Sequence, residues 1–145
     1  MHKPNCFSES ASEAWRLRFG SKPPNELPDL GAMLNHRSVR DYSDEPIPEE
    51  TMAGLIAAAQ SASTSSNLQL WSVISVQDPE RRERIAQLCD GQRQVRNAAW
   101  FLAFIVDHAR LRAVANAVGE SAEGLDWTEF FVMGLVDAAL AAERL

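Results

Sequence analysis

Residues 127–142 constrain the fold more than any other stretch. Trp127, Phe130, Phe131, Gly134, Leu135, Ala138, Ala139 and Ala142 recur at helical spacing, and Val132, Met133, Val136 and Leu140 fill the positions between them. A helix that is apolar nearly all round is buried, either in a large core or at a subunit interface. Small residues at 134, 138, 141 and 142 allow close helix approach. Asp137 is the anomaly, because a carboxylate in such surroundings must find a donor or lie at a wet edge. The apolar pattern is still running at Glu143-Arg144-Leu145, with no Gly, Asn or Pro to stop it. The expectation is a fragment of a longer fold, which dimerises through this helix or is poorly soluble alone.

The rest of the composition narrows the class. A chain of 145 residues is one domain's worth, and 46% apolar with 23% charged residues is ordinary for a soluble globular protein. Net charge is −6, a poor basis for general nucleic-acid binding, though a local basic cluster can still hold a small anion. Cys6 and Cys89 lie far apart, and His2, His36 and His108 are scattered, so neither a disulfide framework nor a metal site is indicated. No apolar run reaches membrane-spanning length and the N-terminus lacks the order of a signal peptide, so the expected compartment is the cytoplasm.

Residues 1–30 differ in character from the remainder of the chain. Lys22-Pro23-Pro24-Asn25 and Pro28 forbid regular structure, and between the polar start and these prolines Ser10-x-x-Glu13 reads as a capping box for a short helix with Trp15 and Phe19 on one face. Such a segment is a loosely packed extension or a docking arm. A short helix is expected over Leu30–Asn35. Another begins at Pro48, with Met52, Leu55, Ile56 and Ala59 toward a core, and fades at Ser61–Asn67. Trp71–Val76 reads as a strand. Asp78-Pro79 opens a helix with Ile85 and Leu88 on its buried face, its arginines reading as a solvated face, and Gly91 closes it in a left-handed conformation. Trp100–Val106 reads as a strand buried on both faces, with His108 in the loop after it. A polar helix over 109–118 and a flexible acidic linker over Gly119–Asp126 complete the chain before its last helix.

The residues with most chemical potential are His36-Arg37-Ser38-Val39-Arg40. Guanidinium groups offer fork-shaped donors that match phosphate or a carbonyl edge, and serine and histidine add further donors. The same segment also reads as a solvated basic turn, its arginines paired with Asp41, Asp44 and Glu45. Ser63-Thr64-Ser65-Ser66-Asn67-Leu68-Gln69 offers hydroxyls and amides to a polar ligand, or is a plain connector. Gly91-Gln92-Arg93-Gln94-Val95 is an exposed polar turn or presents the Gln92 amide to a ligand.

These three stretches, in this order, resemble the FMN-dependent nitroreductase family, and most closely its NADPH-preferring, oxygen-insensitive nitroreductase and flavin reductase branch. The likeness runs from about Met33 to Leu145. It implies a nitroreductase-like α+β fold, a mixed central sheet wrapped by helices, with the C-terminal part of the fold missing. The chain would then divide into an extension at 1–30 and a truncated domain at 31–145. The resemblance further implies an intertwined homodimer with FMN at the subunit interface, and ping-pong transfer from NAD(P)H to a small-molecule acceptor such as a nitroaromatic, quinone or free flavin. Carried over by position, His36, Arg37 and Ser38 contact the FMN phosphate and ribityl side, Arg40 the pyrimidine edge, Thr64, Ser65 and Ser66 line the flavin, and Gln92 bonds its edge. The resemblance requires no side chain as nucleophile or general base. The alternative is a catalytically incompetent flavin-binding remnant, and a purely helical interaction protein leaves the 36–40 cluster without a role.

Overall fold

The computed structural model describes residues 11–23 and 31–145. The expected capping residue Ser10 and the start of the second helix at Leu30 lie outside them. The chain forms two compact units, residues 1–40 and 41–145.

In the first unit α1 (Ala11–Phe19) and α2 (Gly31–Asn35) pack on each other. Trp15 and Phe19 share a face as their spacing predicts, with ring centroids 4.5 Å apart. Gly20, at φ +63°, closes α1 with its N–H donating to the Arg16 carbonyl at 2.9 Å.

The second unit runs α3 (Glu49–Gln60), β1 (Trp71–Ser75), α4 (Pro79–Leu88), α5 (Arg93–Asn97), β2 (Leu102–Val106), α6 (Ala109–Ala117), a 3₁₀ turn (Glu123–Asp126) and α7 (Thr128–Arg144). Pro48 is the residue just before α3 rather than its first turn, a shift of one position. Asp78 caps α4 as read from the sequence, its carboxylate accepting from the Arg81 amide at 2.8 Å with Pro79 in the first turn. β1 and β2 pair antiparallel, Trp71 opposite Val106, Val73 opposite Phe104 and Ser75 opposite Leu102. Beyond the ladder, Val76 donates to the Phe101 carbonyl and Asp107 to the Leu70 carbonyl, each at 2.9 Å.

α7 organises this unit by packing against both strands and α3. Its buried residues are Gly134, Asp137, Ala138 and Ala141, which recur at helical spacing as one stripe. A Cβ at Gly134 would stand 2.7 Å from Val106 Cγ1, 3.1 Å from the Leu70 carbonyl oxygen and 3.2 Å from Leu70 Cβ. Small residues thus do bring α7 close to its neighbour, but at Gly134 the neighbour is the sheet, not another helix. Leu70, at the entrance to β1, is fully buried under this contact, with Met52 and Ala59 of α3 also in the core.

Several expectations fail for identifiable reasons. Leu88 is 87% exposed, and the buried residue of α4 is Ala86. β2 is not buried on both faces: its residues are half-buried and Ile105 is exposed, because the two-stranded sheet is covered by too few elements to enclose it. The 119–126 segment is not a featureless linker. It holds a 3₁₀ turn tied to α6 by an Arg112–Asp126 ion pair at 2.5 Å. α7 is buried on one stripe only, leaving Phe131, Val132, Leu135, Val136 and Leu140 exposed.

Replacing Gly134 by Ala should lower stability by about 1–3 kcal/mol through overpacking, despite the better helix propensity of Ala. Urea unfolding checks this: the midpoint falls in Gly134→Ala, whereas Ala139→Ser at an exposed position of the same helix leaves it nearly unchanged.

Candidate functional site

In the second unit the hydroxyl-rich segment leaves α3 at Ser61 and returns to the core at Leu70. Its backbone is unusual. Ser66, Asn67 and Gln69 have φ of 45°, 54° and 50°, the left-handed region that costs a non-glycine residue on the order of 1 kcal/mol or more. Asparagine tolerates this conformation; serine and glutamine gain nothing from it locally. The conformation is held from outside at two places. The Ser65 amide donates to Asp137 Oδ1 of α7 at 2.9 Å, a bond across 72 residues. The Gln69 carbonyl accepts from the Arg110 guanidinium of α6, which also reaches the Trp71 carbonyl at 3.5 Å. Thr64, just before the first tie, is half-buried, while Ser65 and Ser66 are exposed.

Asp137 is fully buried, and its second oxygen, Oδ2, has no hydrogen-bond partner among the described residues. The donor that this carboxylate had to find is therefore a backbone amide of the loop, supplying one of its two oxygens.

Arg110 is itself aligned by Asp107, whose Oδ1 accepts from the Ala109 amide at 3.0 Å and the Arg110 amide at 3.3 Å while Oδ2 accepts from the Ser72 hydroxyl. The Ser72 bond foremost, then the α6 amides and the Arg110 charge, hold the Asp107 carboxyl below its ordinary value against the opposing effect of desolvation. His108 is half-buried, its Nε2 lying 3.3 Å from the Phe130 carbonyl, an ordinary structural contact.

Gln92 sits in the turn between α4 and α5. Asp90, at φ 58°, and Gly91, at φ +71°, make the left-handed reversal expected of the glycine. Two arginines brace this region, and one of them, Arg82, belongs to the charge run that reads as a solvated face. Arg82 is half-buried and donates to the Ala98 carbonyl at 2.6 Å and the Val76 carbonyl at 3.0 Å, pulling the end of α5 onto the end of β1. Arg96 forks onto Glu83 at 2.6 and 2.9 Å and donates to the Gly91 carbonyl at 2.5 Å. The Arg96 hydrogen bond is the main cause that depresses the Glu83 carboxyl. Gln94 donates from Nε2 to Gln92 Oε1 at 2.7 Å, and Gln92 is exposed.

In the first unit Arg37 is half-buried and donates from Nε to the Asn35 carbonyl at 3.0 Å, and His36 donates its amide to the Met33 carbonyl at 3.3 Å. His36, Ser38 and Arg40 have exposed side chains. The named residues thus fall in both units: His36, Arg37, Ser38 and Arg40 in the first, Thr64, Ser65, Ser66 and Gln92 in the second.

The sequence model of the Nitroreductase family matches residues 33–141, which contain all three motif stretches. The chain belongs to the Nitroreductase family. It is 40% identical over 117 residues to an FMN reductase (NADPH) of Bacillus subtilis, covering 80% of this chain and 47% of that protein. It is 37% identical over 115 residues to an NADPH-flavin oxidoreductase of Vibrio harveyi, covering 79% of this chain and 46% of that one. Among solved structures, a B. subtilis nitroreductase superposes with TM-score 0.75 at 39% identity over 79% of this chain and 47% of its own. The NADPH:FMN oxidoreductase of V. harveyi, solved with NAD+, superposes with TM-score 0.68 at 35% identity over 75% of this chain and 45% of its own. The fold is thus that of the nitroreductases, an α+β arrangement of helices on a small sheet, and the chain spans about half the length of the relatives it matches.

The depressed Asp107 carboxyl has a pH consequence. Its folded value lies below the unfolded 3.8, so its contribution to stability is full above that value and is lost as pH falls through the folded one. In Ser72→Ala the largest depressing cause is gone. The Asp107 titration, followed by carboxyl NMR, should then move up toward 3.8, and the acid-unfolding midpoint should shift to higher pH.

Proposed function

We propose that this chain carries an FMN-binding half-site of an NAD(P)H-dependent flavin oxidoreductase. The observation that carries the reading is that the three motif stretches occur in order within the matched span, in a chain whose relatives are named as FMN reductase (NADPH) and NADPH-flavin oxidoreductase.

The residues suit the cofactor chemically. His36, Arg37 and Ser38 supply donors for the phosphate and ribityl chain, with Ser38 exposed. Arg40 brings a cation to the pyrimidine edge, where it stabilises negative charge on the reduced ring. Thr64, Ser65 and Ser66 line the ring from the loop. Gln92, its carbonyl engaged by Gln94, turns N–H donors toward an edge made of carbonyl oxygens and ring nitrogens. FMN bound here would supply the redox chemistry between NAD(P)H and a nitroaromatic, quinone or free flavin, in ping-pong order. The protein's part is to bind and orient, which needs no nucleophile or general base among these side chains.

The working unit is a cytoplasmic homodimer. Its contact is the exposed surface of α7, which carries Phe131, Val132, Leu135, Val136 and Leu140, large apolar side chains that water disfavours. The second reading is a polypeptide that binds flavin without turning over.

Titration of the purified chain with FMN, followed by flavin fluorescence quenching, tests the proposal. Saturable binding at micromolar concentration or tighter supports the half-site, and a folded chain that does not bind refutes it. Arg40→Ala should weaken FMN binding by about tenfold, the value of one charge-assisted hydrogen bond. Oxidation of NADPH by the flavin-loaded chain separates the enzyme from the inert binder.

A further inference from the structure

We propose that Asp137 is a positioning residue for the flavin, acting from behind the Ser63–Gln69 loop through the Ser65 amide. The inference rests on the flavin-binding reading above and extends it to a residue in a different element, 72 positions further along the chain.

Asp137 is a poor choice for stability alone. It stands in the stripe Gly134, Asp137, Ala138, Ala141, where the neighbouring buried positions are small and apolar. It is 0% exposed and one oxygen is unpartnered among the described residues, so the fold carries a desolvated polar atom that alanine at the same position would remove. What the carboxylate provides is a single acceptor aimed at the Ser65 amide nitrogen, at 2.9 Å.

The loop needs that acceptor. Ser66 and Asn67, the next two residues, are both left-handed, and Gln69 is left-handed again. A short segment with three such non-glycine residues relaxes unless its surroundings over-determine it. Downstream, the Arg110 guanidinium holds the Gln69 carbonyl. Upstream, Asp137 holds the Ser65 amide. With both ends tied, the hydroxyls of Thr64, Ser65 and Ser66 are presented in one arrangement, and a ligand binding there does not have to order the loop.

Loop geometry and global stability should respond differently to substitution. In Asp137→Ala the full chain should bind FMN at least tenfold more weakly while its thermal midpoint is kept or raised. Asp137→Asn, which retains an acceptor oxygen, should restore affinity to within about threefold of wild type. Amide exchange by NMR gives a readout that does not involve flavin: in the wild-type chain the Ser65 amide should exchange at least tenfold more slowly than those of Ser66 and Asn67. Unchanged FMN affinity in a folded Asp137→Ala chain overturns the proposal, and so does an affinity that falls only in step with the thermal midpoint. If the alanine variant does not fold, the wild-type exchange decides: a Ser65 amide as labile as its neighbours overturns the proposal and a protected one upholds the tie. A wild-type chain that shows Ser65 protection but no FMN binding keeps the tie, refutes the flavin reading, and with it refutes the role assigned to Asp137.

Discussion

The close approach of α7 to the sheet at Gly134 is the contact on which the second unit depends. With no side chain at that position, the helix backbone comes near enough for Val106 and Leu70 to lie where a Cβ would otherwise be. The same approach seals Leu70, the residue joining the hydroxyl-rich loop to β1. One helical turn later it carries Asp137 to the Ser65 amide. Widening this contact by a methyl group would displace both the packing and the tie to the loop, because the two share one helical stripe. The structural glycine and the buried carboxylate are therefore parts of one device, in which close packing brings a polar group within reach of a loop.

Much of the second unit is held by polar side chains on backbone carbonyls and amides rather than by a large core. The fully buried positions include several alanines, with Leu70 and Asp137 the largest among the described residues. Arg82 reaches carbonyls from the end of β1 and the end of α5, Arg96 the Gly91 carbonyl, Arg110 the Gln69 carbonyl, and Asp107 two amides of α6. These bonds converge on the segments next to Ser65 and Gln92. A small apolar core leaves loops mobile. Directional bonds to their backbones restrict them where a ligand would have to find them already shaped.

Local physics made part of this legible from residues alone. Asp78 before Pro79 is a cap with a fixed geometry, Gly91 a left-handed stop, and Trp15 and Phe19 neighbours on one helix face, and all three appear as read. The family, too, was visible in the order of three short motifs, which is linear information. What escaped depends on distant partners. Arg82 and Glu83 read as solvated because charge alternation is the signature of an exposed face, yet Arg82 meets carbonyls 6 and 16 residues away. Leu88 read as buried because it sits at helical spacing from Ile85, but α4 turns Ala86 inward. Trp100–Val106 looked like an enclosed strand because its composition suits one, and composition does not tell how many elements cover a sheet. Asp137 could be marked as needing a donor, but nothing local identifies Ser65 as that donor.

The apolar surface of α7 is distributed in an unusual way. A helix that only packed on a sheet would be polar on its far side. Here the near side is small, because Gly134, Ala138 and Ala141 must fit under close contact, and the far side is large, with Phe131, Val132, Leu135, Val136 and Leu140 exposed. That is the reverse of a surface helix, which turns its bulky side chains inward. The bulky residues lie off the packed stripe because the close contact leaves no room for them beneath the helix, and water disfavours so much exposed apolar surface. The dimer proposed above would cover them. It would place an apolar contact on the same helix that carries Asp137 to the loop it restrains.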